Sequence, residues 1–289
     1  VSADINDKIN NHDVKNLFVG SGFLMQYFFS FINTENLFLT LTDLNNHSIK
    51  KTKNVKNYIY YFHSPVSTTK VYTKGAFDYY DTILCIGPYQ IEEIQLRENL
   101  KSINKKKLIK TGYFYFDYLQ NNISLNNKFD EILIAPSWNY NETHFINENF
   151  EEIISFLLKK NFKVRFRPHP EHFKRSKIIL DKIKINLNNN NFIFDVETEN
   201  RVSMENAKCL ITDNSGIAIE YTLIFKRPVL YLTGNEKLHN KELNDYKNLD
   251  NLEDSIKKLF GCKFKVTDIQ NLDKLINNSV FNLLNQETE

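Results

Sequence analysis

Residues 207–233, AKCLITDNSGIAIEYTLIFKRPVLYLT, constrain the fold more than any other stretch of the chain. A short apolar run, Cys209-Leu210-Ile211, stops at the polar turn Thr212-Asp213-Asn214-Ser215-Gly216. The segment Ile217 to Phe225 follows, and Arg227-Pro228 opens a second apolar run. The order predicts strand, tight loop, helix, strand. Such a unit sets a helix N-terminus, with its free N–H groups and partial positive charge, at the carboxyl edge of a sheet, where open α/β folds bind phosphorylated ligands. Asp213, Asn214 and Ser215 are also good helix caps, so an ordinary capped helix is the plainer reading of the same residues.

The chain of 289 residues is long enough for one large or two medium domains with a substantial core, and its 42% apolar content is that of a globular protein. A net charge of +2 gives no electrostatic reason to expect a nucleic-acid partner. Cys85, Cys209 and Cys262 are odd in number and far apart, which supports neither a disulfide framework nor a CxxC metal site. A reducing, cytoplasmic compartment fits. No signal peptide is read at Val1, and the most apolar window, Leu17 to Ile32, is too short for a comfortable bilayer span and is broken by Gly20-Ser21-Gly22 and Gln26. Because the chain opens on Val and not on a strand, N-terminal trimming is expected.

Strands are predicted at 16–19, 36–41, 57–62, 82–86 and 108–110, with helices at 23–32 and 88–100. Asn121 to Phe129 is polar, rich in Asn and without apolar periodicity, which makes it the expected interdomain linker. The pattern then restarts: strands at 131–135, 163–167 and 192–195, a helix at 147–160, and a Lys-rich helix at 173–187 whose charges read as a solvated face. Two tail helices, 251–260 and 269–284, close the chain. Alternation of this kind argues for two consecutive α/β domains with parallel sheets, 1–125 and 126–289.

Polar clusters fall at the ends of predicted strands. His63, in Phe62-His63-Ser64-Pro65, is placed to act as a general base, since an imidazole titrates near neutrality. Arg167 and His169 lie in Arg167-Pro168-His169-Pro170, where a planar guanidinium suits phosphate or carboxylate and two prolines stiffen the backbone around the imidazole. His169 with His172 also suggests zinc, but no HExxH and no Cys partner supports it. Ser137, in Ala135-Pro136-Ser137-Trp138, is read as a loop cap or ligand contact, and Trp138 as packing. The chain contains no GxGxxG, no GxxxxGK[ST] and no GxSxG, which disfavours a dinucleotide dehydrogenase, a P-loop NTPase and an α/β-hydrolase.

Together these segments resemble a known family. Ile134-Ala135-Pro136-Ser137-Trp138, Arg167-Pro168-His169-Pro170, and Leu210 to Gly216 with Glu220-Tyr221 and Lys226-Arg227-Pro228-Val229 are similar to the C-terminal half of the CDP-glycerol glycerophosphotransferases of teichoic acid synthesis. His63-Ser64-Pro65 stands where that family has His-Gly-Thr, and Gly112-Tyr113 with Asp117 stands where it has Gly-Tyr-Pro-x-x-Asp. The likeness runs from Tyr58 to Leu232. It implies a GT-B fold, two Rossmann-like domains facing across a cleft, with a nucleotide-activated donor in the C-terminal one. It implies His63 as acceptor-side base and His169, Ser215 and Gly216 around the donor pyrophosphate, with Asp213, Asn214, Arg167 and Ser137 as further donor-side candidates. Ser64, Gly112, Asp117 and Glu220 complete the candidate set. No cofactor and no catalytic metal are implied; the expected partners are a nucleotide-diphosphate donor, a polysaccharide or lipid-linked acceptor, and the cytoplasmic membrane as a peripheral contact.

The chain departs from that pattern at Ser64-Pro65, at Asn214 and at Gly216, where the family turn reads Asp-Tyr-Ser-Ser, and the family's long basic membrane-targeting helix is not evident. The reading is a transferase moving glycerol phosphate, or a related alditol phosphate, from a CDP-linked donor to a cell-surface polymer. A GT-B nucleotide-sugar glycosyltransferase of capsule or lipopolysaccharide synthesis is the alternative within the fold, and a non-catalytic polymer- or partner-binding module the alternative outside that class.

Overall fold

A computed structural model describes residues 9, 11–20, 22–45, 49–124, 129–138, 148–213, 215–233, 240, 242, 245–246 and 251–286. Two compact α/β units emerge. The first comprises Val1–His63, Ser67–Gly112 and His239–Leu249; the second comprises Ser64–Val66, Tyr113–Leu238 and Asp250–Glu289.

In the first unit β1 (Thr34–Leu39), β2 (Val55–Tyr61), β3 (Thr82–Cys85) and β4 (Lys107–Lys110) form a four-stranded, wholly parallel sheet in the order β1-β2-β3-β4. Helices α1 (Phe23–Ser30) and α2 (Pro88–Lys101) belong to it, and Pro88 at the first turn of α2 suits a position whose N–H has no helical partner. The loop after β2 is held by its own rings: Tyr60, Phe62, Tyr72, Phe77 and Tyr80 meet edge to face with centroids 4.7–5.9 Å apart. The strand expected at 16–19 is reduced to an isolated bridge at Phe18, and Leu17 and Phe18 stay about half exposed, so nothing buries that run as a strand.

The second unit has a six-stranded parallel sheet, built from β5 (Glu131–Ile134), β6 (Lys163–Phe166), β7 (Phe192–Phe194), β8 (Ala207–Thr212), β9 (Val229–Leu232) and β10 (Gly261–Phe264). Its order, β10-β9-β8-β5-β6-β7, is that of a doubly wound sheet with the direction of winding reversing between β5 and β8. Side chains alternate between two cores. Ile132, Ile134, Cys209, Ile211, Leu230 and Leu232 enter one, together with Phe150, Ile153, Ile154 and Leu157 of α4 (Glu148–Lys159). Leu133, Ala135, Leu210, Val229 and Tyr231 enter the other, with Ala218 and Tyr221 of α8 (Ile217–Phe225). Burial on both faces is why these strands read as unbroken apolar runs.

The α/β class with two parallel sheets is as expected, but the junction differs. It lies at Gly112/Tyr113 and not at 125/126, because α3 (Phe114–Asn122) sends Leu119, fully buried, into the second unit's core. Gly112 sits there with φ +74°, a conformation glycine adopts without strain. Part of the expected linker, 125–128, lies outside the described residues. The helix expected over 173–187 is two, α5 (Pro170–Arg175) and α6 (Lys177–Asn186), divided at Ser176. A short helix, α7 (Arg201–Asn206), precedes β8; α9 (Leu252–Phe260) and α10 (Leu272–Gln286) are the tail helices, with β10 between them unforeseen. Among the described residues no helix is long and apolar enough to cross a membrane.

Candidate active site at the switch point of the second sheet

The segments after β5, β6 and β8 leave the same edge of the sheet at the point where winding reverses, the place where open α/β sheets leave a crevice. Ser137, after β5, donates its backbone N–H to Asp213 Oδ1 at 2.7 Å and its hydroxyl to Asp213 Oδ2. One residue before Asp213, at the end of β8, Thr212 Oγ1 donates to Ala135 O at 2.6 Å. Both partners of the clasp are buried, at 4% and 1% exposure. Ser137 and Asp213, both expected on the donor side, tie the two loops to each other.

The turn they hold delivers Ser215 and Gly216 to the start of α8. The N-cap position is Gly216, and among the described residues no side chain caps this helix. The Ser215 carbonyl instead accepts the Ala218 N–H at 3.1 Å. Gly216 has helical φ −60°, so it is not present for backbone freedom. Its reason is space: a β-carbon there would stand 2.5 Å from Ser64 Oγ and 3.3 Å from a methyl of Val66. Asn214 lies outside the described residues.

His169 is the N-cap residue of α5. Its Nδ1 accepts the Glu171 N–H at 3.2 Å, which puts the ring proton of the neutral imidazole on Nε2. Its own N–H goes to Nδ1 of the buried His172 at 3.1 Å. The ring lies nearly parallel to Trp138, 21° between planes with centroids 6.3 Å apart, while the Arg175 guanidinium covers the indole at 5.2 Å. Trp138, read as packing, therefore orients His169 from the end of β5.

Arg167 departs from expectation. Its guanidinium pairs with Asp195 Oδ1 at 3.0 Å and donates to the carbonyls of Glu197 and Thr198 at 2.8 and 3.1 Å. Burial would raise the Asp195 pKa, but the Ser203 hydroxyl, the Glu197 N–H and Arg167 outweigh it and hold the carboxyl below its ordinary range. Arg167 thus braces the loop after β7. Arg227 is structural as well, donating to the carbonyls of Glu205 and Ala207 at 2.6 Å.

Glu220, in the first turn of α8, is buried and accepts from Tyr113 Oη at 2.9 Å and Asn200 Nδ2 at 3.2 Å. Burial pushes its pKa up to about 7 against the opposing pull of those two hydrogen bonds. Tyr115 Oη closes the network on Asn200 Oδ1. Asp117, one turn on, is exposed on α3.

His63 ends the first unit, and its chain neighbour Ser64 begins the short segment counted with the second. Desolvation lowers the His63 pKa, so the imidazole is neutral at pH 7, the form able to accept a proton. The structure thus gathers Ser137, Trp138, His169, Asp213, Ser215, Gly216 and Ser64 at or beside one sheet edge. It adds Trp138, Tyr113 and Asn200 as supporting residues; Trp138 and Tyr113 lie in segments that the sequence had brought forward, and Asn200 does not.

The family described as CDP-Glycerol:Poly(glycerophosphate) glycerophosphotransferase matches residues 37–252. No curated protein sequence matches. Among solved structures, the wall teichoic acid polymerase TagF is 17% identical, with 82% of this chain and 65% of that one covered and a TM-score of 0.43. The present chain therefore spans just under two thirds of that protein's length. UDP-GlcNAc 2-epimerase of Methanocaldococcus jannaschii, in complex with UDP-GlcNAc and UDP, is 18% identical over 71% of this chain and 55% of that one, with a TM-score of 0.44. The Escherichia coli ADP-heptose lipopolysaccharide heptosyltransferase II is 14% identical over 63% and 54%, with a TM-score of 0.35.

Proposed function

We propose a function from one premise: this chain belongs to the CDP-glycerol:poly(glycerophosphate) glycerophosphotransferase family. On that premise it transfers glycerol phosphate from CDP-glycerol to a hydroxyl of a growing teichoic-acid-type polymer. The donor's diphosphate sits at the N-terminus of α8, beside Ser215 and Gly216, with His169 Nε2–H as a further donor to its oxygens. The observation that carries this reading is the N-terminus of a nine-residue helix at the switch point, capped by no side chain among the described residues and begun by Gly216, which adds no side chain there.

The step is an in-line displacement. The acceptor hydroxyl oxygen bonds to the phosphorus that bears glycerol, the bond from that phosphorus to the bridging oxygen breaks, and CMP departs with the electron pair. The hydroxyl proton passes to His63, neutral at pH 7. Charge building on the leaving CMP meets the α8 dipole and His169, groups fixed before the reaction begins. No catalytic metal belongs to this proposal. Action at the inner face of the cytoplasmic membrane, by peripheral contact and on a lipid-linked acceptor, is part of it.

Thermal shift tests the donor assignment. CDP-glycerol is expected to raise the melting temperature, by the equivalent of about 2.7 kcal/mol at a hundred times its dissociation constant, while UDP-linked sugars leave it unchanged. Stabilisation by a UDP-sugar and not by CDP-glycerol would refute it.

A further inference from the structure

The carboxylate of Glu93, on α2, is 1% exposed, yet it lies against polar chain on all the sides the hydrogen bonds define. Oε1 accepts the Ser67 hydroxyl at 2.7 Å; Oε2 accepts the Thr68 N–H at 2.5 Å and the Thr68 hydroxyl at 2.6 Å. The Ser67 hydroxyl in turn lies 3.1 Å from Thr69 Oγ1 and accepts the Thr69 N–H at 3.3 Å. Ser67, Thr68 and Thr69 are themselves buried. Three donors from two consecutive residues thus converge on one carboxylate.

The brace is anchored behind as well as in front. Gln90, one turn earlier on α2 and fully buried, accepts the Ile86 N–H at 2.8 Å and so fixes the helix start to the end of β3. Two cations, Arg97 and Lys106, line the same recess. Arg97 is paired with Asp78 at 2.8 Å and with Glu242, and Lys106 with Glu98 at 3.5 Å. The hydroxyl and amide donors offset part of what desolvation costs this buried carboxylate.

What is braced is the chain that follows His63. Only Ser64, Pro65 and Val66 separate His63 from Ser67, and Pro65 removes one backbone freedom from that short path. We infer that Glu93 is a positioning residue for His63: its carboxylate locks Ser67 and Thr68, and through them fixes where the segment bearing His63 and Ser64 leaves β2. This rests on the reading of His63 as the acceptor-side base. Nothing in the sequence singled Glu93 out, since Glu92-Glu93 in a helical pattern looks like any solvated helix face.

The test compares Glu93→Gln, Thr68→Val and His63→Ala in the full chain, with CDP-glycerol turnover, CDP-glycerol affinity and melting temperature measured for each, and the imidazole NMR signals of His63 for the two variants that keep it. Glu93→Gln is expected to lower kcat by about 10- to 100-fold, the effect of misplacing a reacting group by about 1 Å. Donor affinity should stay within about twofold of native, and the His63 signals should broaden or shift. Thr68→Val, which keeps the amide bond and loses the hydroxyl, should show a smaller loss of the same pattern and carries the test if Glu93→Gln does not fold. Folded variants with native kcat and native His63 signals would overturn the inference. So would equal losses in kcat and donor affinity, the mark of a general structural role. If His63→Ala retains native turnover, the reading of His63 fails instead, whatever Glu93 does.

Discussion

Ser64 Oγ occupies the space of a β-carbon on Gly216, 2.5 Å from where that carbon would stand. The family has glycine at the first of these positions and serine at the second, and this chain has the reverse. The two departures noted in the sequence meet at one place, where Ser64 Oγ lies against the start of α8. A side chain at 216 must turn the Ser64 hydroxyl away and press on Val66 at 3.3 Å.

Gly216→Ala is therefore expected to destabilise the fold by about 1–2 kcal/mol, in the range for mild overpacking, and to weaken CDP-glycerol binding. Ser64→Gly on that background should restore most of both. Melting temperatures and donor affinities of the two single variants and the double variant form the cycle, and additive losses would show that the two residues do not share the space.

Asp213 provides a second check, because clasp and ligand make opposite demands on it. As a clasp for Ser137, changing Asp213 to Asn keeps one acceptor and turns two charge-assisted bonds into weaker ones, a cost of about 1–3 kcal/mol. Calorimetric unfolding should record that loss, with donor affinity falling by about tenfold or less as the turn loosens. A fully stable variant that no longer binds CDP-glycerol would mean that Asp213 touches the donor.

Glu220 gives the fold a pH dependence whose direction follows from its pKa. Burial raises it from the ordinary 4.5 to about 7, so the folded protein keeps a proton that the unfolded chain releases between those values. The native state's gain is complete below about pH 4.5 and disappears as pH rises through about 7, amounting to about 3 kcal/mol at most. Replacing Glu220 by Gln removes the titration. Between pH 5 and 8 the melting temperature of the native protein should fall relative to that of Glu220→Gln, and parallel curves would contradict the assignment.

The second unit was legible in the sequence because β5, β8 and β9 are covered on both faces, which turns each into a continuous apolar run bounded by polar turns. The opening strand and helix, β8 and α8, stand where expected. Less of the rest was visible. β10 is an edge strand with Phe264 as its one fully buried side chain, so its pattern is weak. α7 has six residues, too few for a helical period, and the aromatic run of α3 suits strand as well as helix. At the site, place was easier to read than task. Asp213, Ser137 and Arg167 were rightly put at strand ends, but their partners, above all Asp195 for Arg167, lie on other strands, and no local spacing reveals a pairing made by tertiary structure. Glu93 was hidden for the same reason.

The account turns on whether the α8 N-terminus seats the diphosphate of CDP-glycerol for transfer of glycerol phosphate without a metal. The most direct measurement follows CDP-[14C]glycerol with an acceptor ending in glycerol phosphate, in excess chelator, scoring CMP released against label incorporated. The account predicts one CMP for each glycerol phosphate added, undiminished by chelator and lost in His63→Ala. Absence of incorporation by the native chain, or turnover that stops on chelation and returns with a divalent cation, would contradict it.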